Sequence, residues 1–295
     1  MNLKQLEFAV ALAEEGNFTR AAARCHVVQS ALSHQIAHLE AELGTPLFER
    51  LPRQVRITPA GEALLVHARQ VLASLRHLRA DVAAVTGEVR GTLAIGQISS
   101  LTDIDVVAIL ATFRQAYPQV EFQLRVDKSE TLIAQVQARE LDVALVGLAP
   151  SASLDGVCHQ MLQEEDLVAV VAPTHRLAGQ ARLPLALLQD EALVDFARGT
   201  GARRQTDDAF AAAGLPHQVR FEVNQMELIE RFVRHGLAVG IVPVLIAQGF
   251  EGVVRIPLQP TPTRRVHLAW QRLPTPAARA FVEAVLSRAR AGSGP

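Results

Sequence analysis

Four side chains in the stretch QSALSHQIAHLEAEL carry hydrogen-bonding groups without formal charge: Gln29, Ser30, Ser33 and His34. Steps of three and four residues place them on one face of a helix. The opposite stripe holds Leu32, Ile36 and Leu39, with Leu43 continuing the row. A solvated helix of this length normally carries Lys and Glu pairs on its outer face; this one offers donors and acceptors instead. Such a face suits base edges in the major groove of DNA, where Gln can meet adenine in bidentate fashion and Ser or His can meet several bases. Positive charge is better placed on phosphates, and Arg50, Arg53 and Arg56 follow soon after in PLFERLPRQVRIT. An ordinary surface helix is the competing reading. Bulk charge does not separate the two, because Lys4, Arg20, Arg24, Arg50, Arg53 and Arg56 are matched by Glu7, Glu14, Glu15, Glu40, Glu42, Glu49 and Glu62.

The elements that must hold this face are legible around it. Leu3, Leu6, Val10 and Ala13 predict a first helix closed by Gly16. Thr19 reads as the N-cap of a short second helix, TRAAARC, and the third helix ends at Gly44. Two extended segments around Pro52 then form a candidate β-hairpin. Three short helices followed by a hairpin match a winged helix-turn-helix.

The string FTRAAARCHVVQSALSHQIAHLEAELGTPLFERLPRQVRITPAGEALL resembles the DNA-binding head of LysR-type transcriptional regulators. The matching positions are Thr19-x-Ala21-Ala22, Gln29-x-Ala31-Leu32-Ser33-x-Gln35-Ile36, Leu39-Glu40 and Leu43-Gly44. They continue through Pro46-Leu47-Phe48-x-Arg50 and Thr58-Pro59-x-Gly61. The resemblance implies DNA contacts at Gln29, Ser33, His34 and Arg53, with Thr58 near phosphate; Thr19, Ser30 and Arg50 complete the candidate set. Three departures from the family pattern stand out. Val28 replaces a usual Ser and Ser30 a usual Pro, so the recognition helix loses its customary cap, and His34 stands where Arg is frequent.

From Thr58-Pro59 the helical pattern runs to about residue 85, with Thr58 as cap and Pro59 in the first turn. Leu64, Ala68, Val71, Leu75, Leu78, Val82 and Val85 alternate steps of four and three, which is a coiled-coil seam. A partner helix is the reading we carry forward; packing on the helix's own domain is the alternative. Gly87 and Gly91 mark the exit. A reading head joined to a pairing helix implies a homodimer whose two heads read related half-sites, an imperfect palindrome of double-stranded DNA; the family resemblance adds a homotetramer as the alternative. In the family the linker helix is used this way, and an activator would also meet RNA polymerase.

Beyond Gly91, strand-like runs (TLAIGQ, EFQLRV, DVALVGL, then DLVAVVAP, ALVDF, RFEV, LAVGIVP) alternate with helical stretches, which predicts an α/β architecture. Two successive sets, with a return through RRVHLAW, predict two lobes and crossovers near 162–167 and 264–267. The whole is a multidomain α+β chain: residues 1–58 the winged head, 59–90 the linker helix and hinge, and 91–295 a two-lobed domain. Lobe I spans about 91–162 and 266–295, and lobe II about 163–265. Ligands in such sheets bind beyond the carboxyl ends of strands. The loops there carry Ser99, Ser100, Thr102, Gly147, Leu148, Phe196, Thr200, Gly201, Asn224 and Pro243. Asn224 with Glu227 also reads as a helix cap, as does Ser129. Arg203 reads either as an anion contact or as a solvent-facing residue. The family resemblance implies an effector between two lobes that look like those of periplasmic binding proteins. Small hydroxyls and loop amides suit a compact carboxylate.

Composition narrows the rest. Hydrophobic content of 49%, charged content of 20% and a net charge of −1 are those of an ordinary globular chain. The N-terminus lacks a signal-peptide pattern and no apolar run is long enough for a membrane span, so a cytoplasmic protein is expected. Cys25 and Cys158 form no C-x-x-C pair, and their separation makes a switch disulfide improbable. Neither G-x-S-x-G nor H-E-x-x-H occurs, and Gly199-Thr200-Gly201 lacks a P-loop Lys. Cys158-His159 has no neighbouring ligands in sequence. Enzyme activity, cofactor and metal are therefore not expected. A free-standing solute-binding protein would explain the lobes, but not the head or the seam.

Overall fold

A computed structural model describes residues 1–51, 54–85, 88–101 and 104–292. The chain divides into two compact units, Met1–Glu88 with Ala138–Glu140, and the remainder from Val89 onward. The first contains α1 (Leu3–Glu15), α2 (Phe18–Arg24), α3 (Gln29–Leu43), a hairpin of β1 (Phe48–Leu51) and β2 (Gln54–Ile57), and α4 (Pro59–Val85).

Phe8, Ala9 and Leu12 of α1 meet Ala21, Ala22, Leu32, Ile36, Leu39, Leu47 and Phe48 in one small core. The stripe expected on α1 is therefore rotated: Leu6 is buried, but Leu3 is exposed and the inward face runs Gln5, Phe8, Ala9, Leu12. Gln5 turns inward because its amide is fully employed. Its Oε1 accepts from the Asn2 amide in a capping box, and its Nε2 lies 3.2 Å from both Gln35 Oε1 and His38 Nδ1 on α3. Leu43 also departs from expectation. It is exposed, because α3 outruns this small core before Gly44 stops it with a left-handed φ of 70°.

The second helix is capped by Asn17, not Thr19: Asn17 Oδ1 accepts from the amides of Thr19 and Arg20, so α2 begins two residues earlier than expected. The start of α4 is tightly seated. A Cβ on Gly61 would lie 2.3 Å from Leu47 O and 2.6 Å from Ile57 Cγ1, so only glycine fits there. The expected seam of α4 divides. Leu64 packs against the head's core and Ala68 is buried, whereas Val71, Leu78, Val82 and Val85 are 44%, 59%, 62% and 88% exposed and Leu75 is half-buried. Gly87 lies outside the described residues.

The second unit runs β3 (Gly91–Gln97), α5 (Val106–Ala116), β4 (Val120–Val126), α6 (Ser129–Gln137), β5 (Val143–Leu148), β6 (Cys158–Val171), β7 (Leu183–Pro184) and β8 (Ala192–Phe196). It continues with α7 (Gly201–Ala212), β9 (Gln218–Val223), α8 (Met226–Arg234), β10 (Val239–Pro243), α9 (Val244–Gln248), β11 (Val254–Gln259), β12 (Thr263–Trp270) and α10 (Pro276–Gly292). Lobe I is built on the order β4-β3-β5-β12-β6, and lobe II on β6-β10-β8-β9. Strands β3, β4 and β5 are parallel, as are β8, β9 and β10; β12 and β6 run antiparallel to their neighbours. Each lobe has its own apolar core.

A single strand serves both lobes. Cys158–Asp166 of β6 pair with β12, and Leu167–Val171 pair with β10 and β11. The return crossing comes earlier than expected. Thr263 already pairs with Asp166 and Arg265 with Leu148, so 264–267 lie inside β12, in lobe I. Strands β7 and β11 were not anticipated.

Candidate functional site

On the first unit, α3 presents Gln29, Ser30 and His34 on its exposed face, with Ser33 half-buried, opposite Leu32, Ile36 and Leu39. Val28 stands at the N-cap with no side-chain hydrogen bond to the helix. The amides of Ala31 and Leu32 find Val28 O, and those of Gln29 and Ser30 have no backbone partner among the described residues. An uncapped helix start of this kind is suited to a phosphate. Thr19 is exposed at the start of α2. The backbone of Arg50 pairs with Val55 in the hairpin and exposed Arg56 lies opposite Glu49; Arg53 lies outside the described residues.

Thr58 is a correction. It is buried, its hydroxyl donates to Pro46 O at 2.8 Å and accepts from the Gly61 amide at 3.1 Å, and its own amide donates to Leu47 O. It fixes the junction of wing and linker helix and has no free hydroxyl for phosphate. Several acids that seemed to cancel the basic residues also have structural work. Glu40 Oε1 accepts from the amides of Leu47 and Phe48, fastening α3 to the wing, and Glu14 pairs with Arg24 at 2.6 Å. The Glu14 carboxylate raises the Arg24 pKa.

In the second unit a cavity of about 440 Å³ opens between the lobes. Ser99, Ser100, Gly147, Phe196, Thr200, Gly201 and Asn224 all line it, together at the carboxyl ends of β3, β5, β8 and β9. Thr102 lies outside the described residues. Leu148 does not reach the cavity, being buried in the lobe I core, and Pro243 lines only a small extension. The glycines mark close approach: a Cβ at Gly147 would sit 2.9 Å from Ile98 Cδ1, and one at Gly201 would sit 3.2 Å from Gly147 O.

Hydrogen bonds decide which lining groups are available. Thr200 Oγ1 accepts from the Arg203 amide and donates to Ala197 O, so its hydroxyl is occupied as the α7 cap. Ser129, by contrast, is no helix cap; its hydroxyl donates to Gly147 O at 2.9 Å and accepts from Gly147 N at 3.1 Å. Asn224 does not cap α8, whose N-cap is Gln225, and it remains exposed at the cavity. Arg203 is neither solvent-facing nor an anion contact: it is buried, with Nε 2.7 Å from Asp207 and Nη1 3.1 Å from Glu222. Burial opposes its charge, and those two carboxylates outweigh the cost and raise its pKa.

Two groups missed in sequence, Arg264 and Gln205, line this cavity, and a third, Asp195, lines the small extension beside it. Arg264, only 2% exposed, binds Glu165 Oε2 at 2.8 Å and also donates to Ser100 Oγ and Ser100 O, both at 2.8 Å. Gln205 and Asp195 lie beside it at the extension. A charged residue inside the apolar run ALVDF was a usable signal for Asp195; Arg264 offered none, because its counter-charge lies 99 residues away. Across the cleft, Glu130 Oε2 of lobe I accepts from the Gly201 amide of lobe II at 3.2 Å, filling the N-terminus of α7 with a carboxylate of the protein itself. Among the described residues, no group of three or more His, Cys, Asp or Glu is placed to hold a metal, and no helix is long and apolar enough to cross a membrane.

Comparison with known proteins covers both units. The family model described as the LysR substrate binding domain matches residues 86–290, and that of the bacterial regulatory helix-turn-helix protein, lysR family, matches residues 3–62. The chain is 30% identical to the RuBisCO operon transcriptional regulator of Allochromatium vinosum, over 98% of this chain and 97% of that one. It is 32% identical to the DNA-binding transcriptional dual regulator OxyR of Escherichia coli, over 92% and 90% of the two chains. A solved full-length OxyR variant from Pseudomonas aeruginosa matches with a TM-score of 0.74 at 28% identity, each chain covering 98% of the other.

Proposed function

Since this chain belongs to the LysR family of DNA-binding transcriptional regulators, we propose that it reads an imperfect palindrome through α3 and the wing of each subunit and answers to a small carboxylate held between its lobes. The observation that carries this reading is the cavity, whose lining gathers Ser99, Ser100, Lys128, Gln205 and Asn224 on loops and helix starts of both lobes. Residues 59–90 act as the linker, and the exposed row Val71, Leu78, Val82 supports self-association through α4 into a dimer or tetramer. The protein works in the cytoplasm, catalyses nothing, and meets RNA polymerase where it activates. Peroxide sensing, which the names of some relatives state for those proteins, is not carried over: Cys25 and Cys158 stand in separate units.

The effector acts by differential affinity. It favours one arrangement of the lobes only to the extent that it binds that arrangement more tightly. Selection of binding sites from random duplex DNA by the full-length protein tests the reading, followed by a thermal-shift screen of the same protein against small acids. A ligand at a hundred times its Kd stabilises by about 2.7 kcal/mol, a rise of roughly 5–11 °C for a domain of this size. Recovery of no common DNA sequence would end the regulator reading; a hit unaffected by Ser99→Ala and Ser100→Ala would move the effector out of this cleft.

A further inference from the structure

We propose that the small extension of the cleft, between Asp195 and Gln205, receives an amino group of the effector, so that the effector is an amino-acid-like zwitterion and not a simple acid. This rests on the cleft being the effector site. The extension adjoins the main cavity, shares Ser100, Phe196, Ala202, Gln205 and Arg264 with its lining, and measures about 10 Å³. That is room for one heavy atom carrying hydrogens. A carboxylate, with three heavy atoms, does not fit, and it would meet the Asp195 carboxylate.

One buried carboxylate oxygen there lacks a well-formed partner, and an amide beside it makes no hydrogen bond among the described residues. Asp195 is 3% exposed; its Oδ1 accepts from the Phe196 amide at 2.6 Å, the Thr206 hydroxyl stands beside the carboxylate, and Oδ2 accepts no well-formed hydrogen bond among the described residues. Gln205 is 6% exposed, and its side-chain amide makes no hydrogen bond among the described residues. Buried polar atoms are nearly always satisfied, and one left alone is costly. An ammonium brings three donors and no acceptor, matching the Asp195 oxygen, the Gln205 carbonyl and the Ser100 hydroxyl. Arg264 is already neutralised by Glu165 and does not repel the cation as a bare guanidinium would. The carboxylate end of the ligand is excluded from the α7 N-terminus, where Glu130 already sits on Gly201. It is left to the wider cavity, where Lys128 makes no ion pair with a described residue.

Matched pairs of acids that differ only in the amine test this on the full-length protein: L-glutamate with glutarate, L-leucine with 4-methylvalerate, and L-phenylalanine with 3-phenylpropionate. Each is added at millimolar concentration in a thermal-shift assay and then titrated calorimetrically. An amine-bearing member should stabilise the protein while its partner without the amine does not. Asp195→Asn, which keeps the acceptor for Phe196 but turns a donor toward the ligand, should weaken binding about 10- to 100-fold. Gln205→Ala should weaken it less; it also serves if the Asp195 variant fails to fold. Equal binding by the two members of a pair, or binding unchanged in both variants, overturns the assignment and leaves the extension to a water molecule. Silence from every pair overturns it too. Binding to DNA selected from the random pool is read separately, and its loss alone would sink the regulator reading.

Discussion

Arg264 and Glu165, ninety-nine residues apart in sequence, meet at 2.8 Å where β12 and β6 run side by side between the lobes. Both are buried, and the remaining guanidinium donors hold the Ser100 loop that frames the cavity. Removing one partner leaves an uncompensated buried charge. Glu165→Gln or Arg264→Met should therefore cost about 3–5 kcal/mol, on the order of 10 °C in Tm. Replacing both, with Arg264→Met and Glu165→Leu, should recover most of the loss. Losses that simply add in the double variant would show that the two residues are not coupled.

Asp195 predicts an unusual dependence on acidity. Burial raises its pKa to about 6, with the Thr206 hydroxyl, the Phe196 amide and Arg203 opposing the rise and Asp207 adding to it. A carboxyl that is harder to ionise in the folded chain binds more protons there than when unfolded. The destabilisation is complete above about pH 6 and relieved as pH falls toward the ordinary carboxylate value near 4. It amounts to roughly 2–3 kcal/mol. Between pH 7.5 and 5 the melting temperature of wild type should rise relative to that of Asp195→Asn. Parallel curves would show that the carboxyl ionises normally.

Gln29→Ala should lower the preference for the cognate sequence by about 1–3 kcal/mol while leaving non-specific, salt-sensitive binding in place. Its side chain is exposed and makes no hydrogen bond among the described residues. A gel shift with unchanged discrimination between cognate and scrambled DNA would remove Gln29 from the reading face.

Leu78→Glu tests the exposed row on α4. At 59% exposure the residue contributes little to its own unit, so the fold should survive while self-association fails. Light scattering should show the mass falling toward that of one chain. An unchanged mass would place the subunit contact elsewhere.

What the sequence made legible follows from locality. The face Gln29, Ser30, Ser33, His34, the wing and the alternation of strands and helices are set by residues a few positions apart, and periodicity reports them directly. The rotation of α1 was hidden because Gln5 reads as polar and is counted as outward, though Gln35 and His38 on another helix hold it inside. Thr19 was read as the cap of α2, and Asn17, a residue of equal capping ability two positions earlier, takes that role. In the cleft, the strand ends located the loops correctly, but not which groups are free. Thr200 and Ser129 are occupied by backbone partners, while Gln205 looked like any polar helix residue. Arg264 depends on a partner no local pattern reaches.

The unbroken course of β6 from Cys158 to Val171 has a mechanical consequence. A joint made of loops swings freely; a joint containing a hydrogen-bonded strand behaves as a torsion spring. With β12 paired along one half of β6, and β10 and β11 along the other, a turn of one lobe against the other would have to wind or unwind that strand. Such a spring has a definite resting angle and a restoring torque. A molecule that favours another angle would have to work against that torque, and its differential affinity sets how far it can do so.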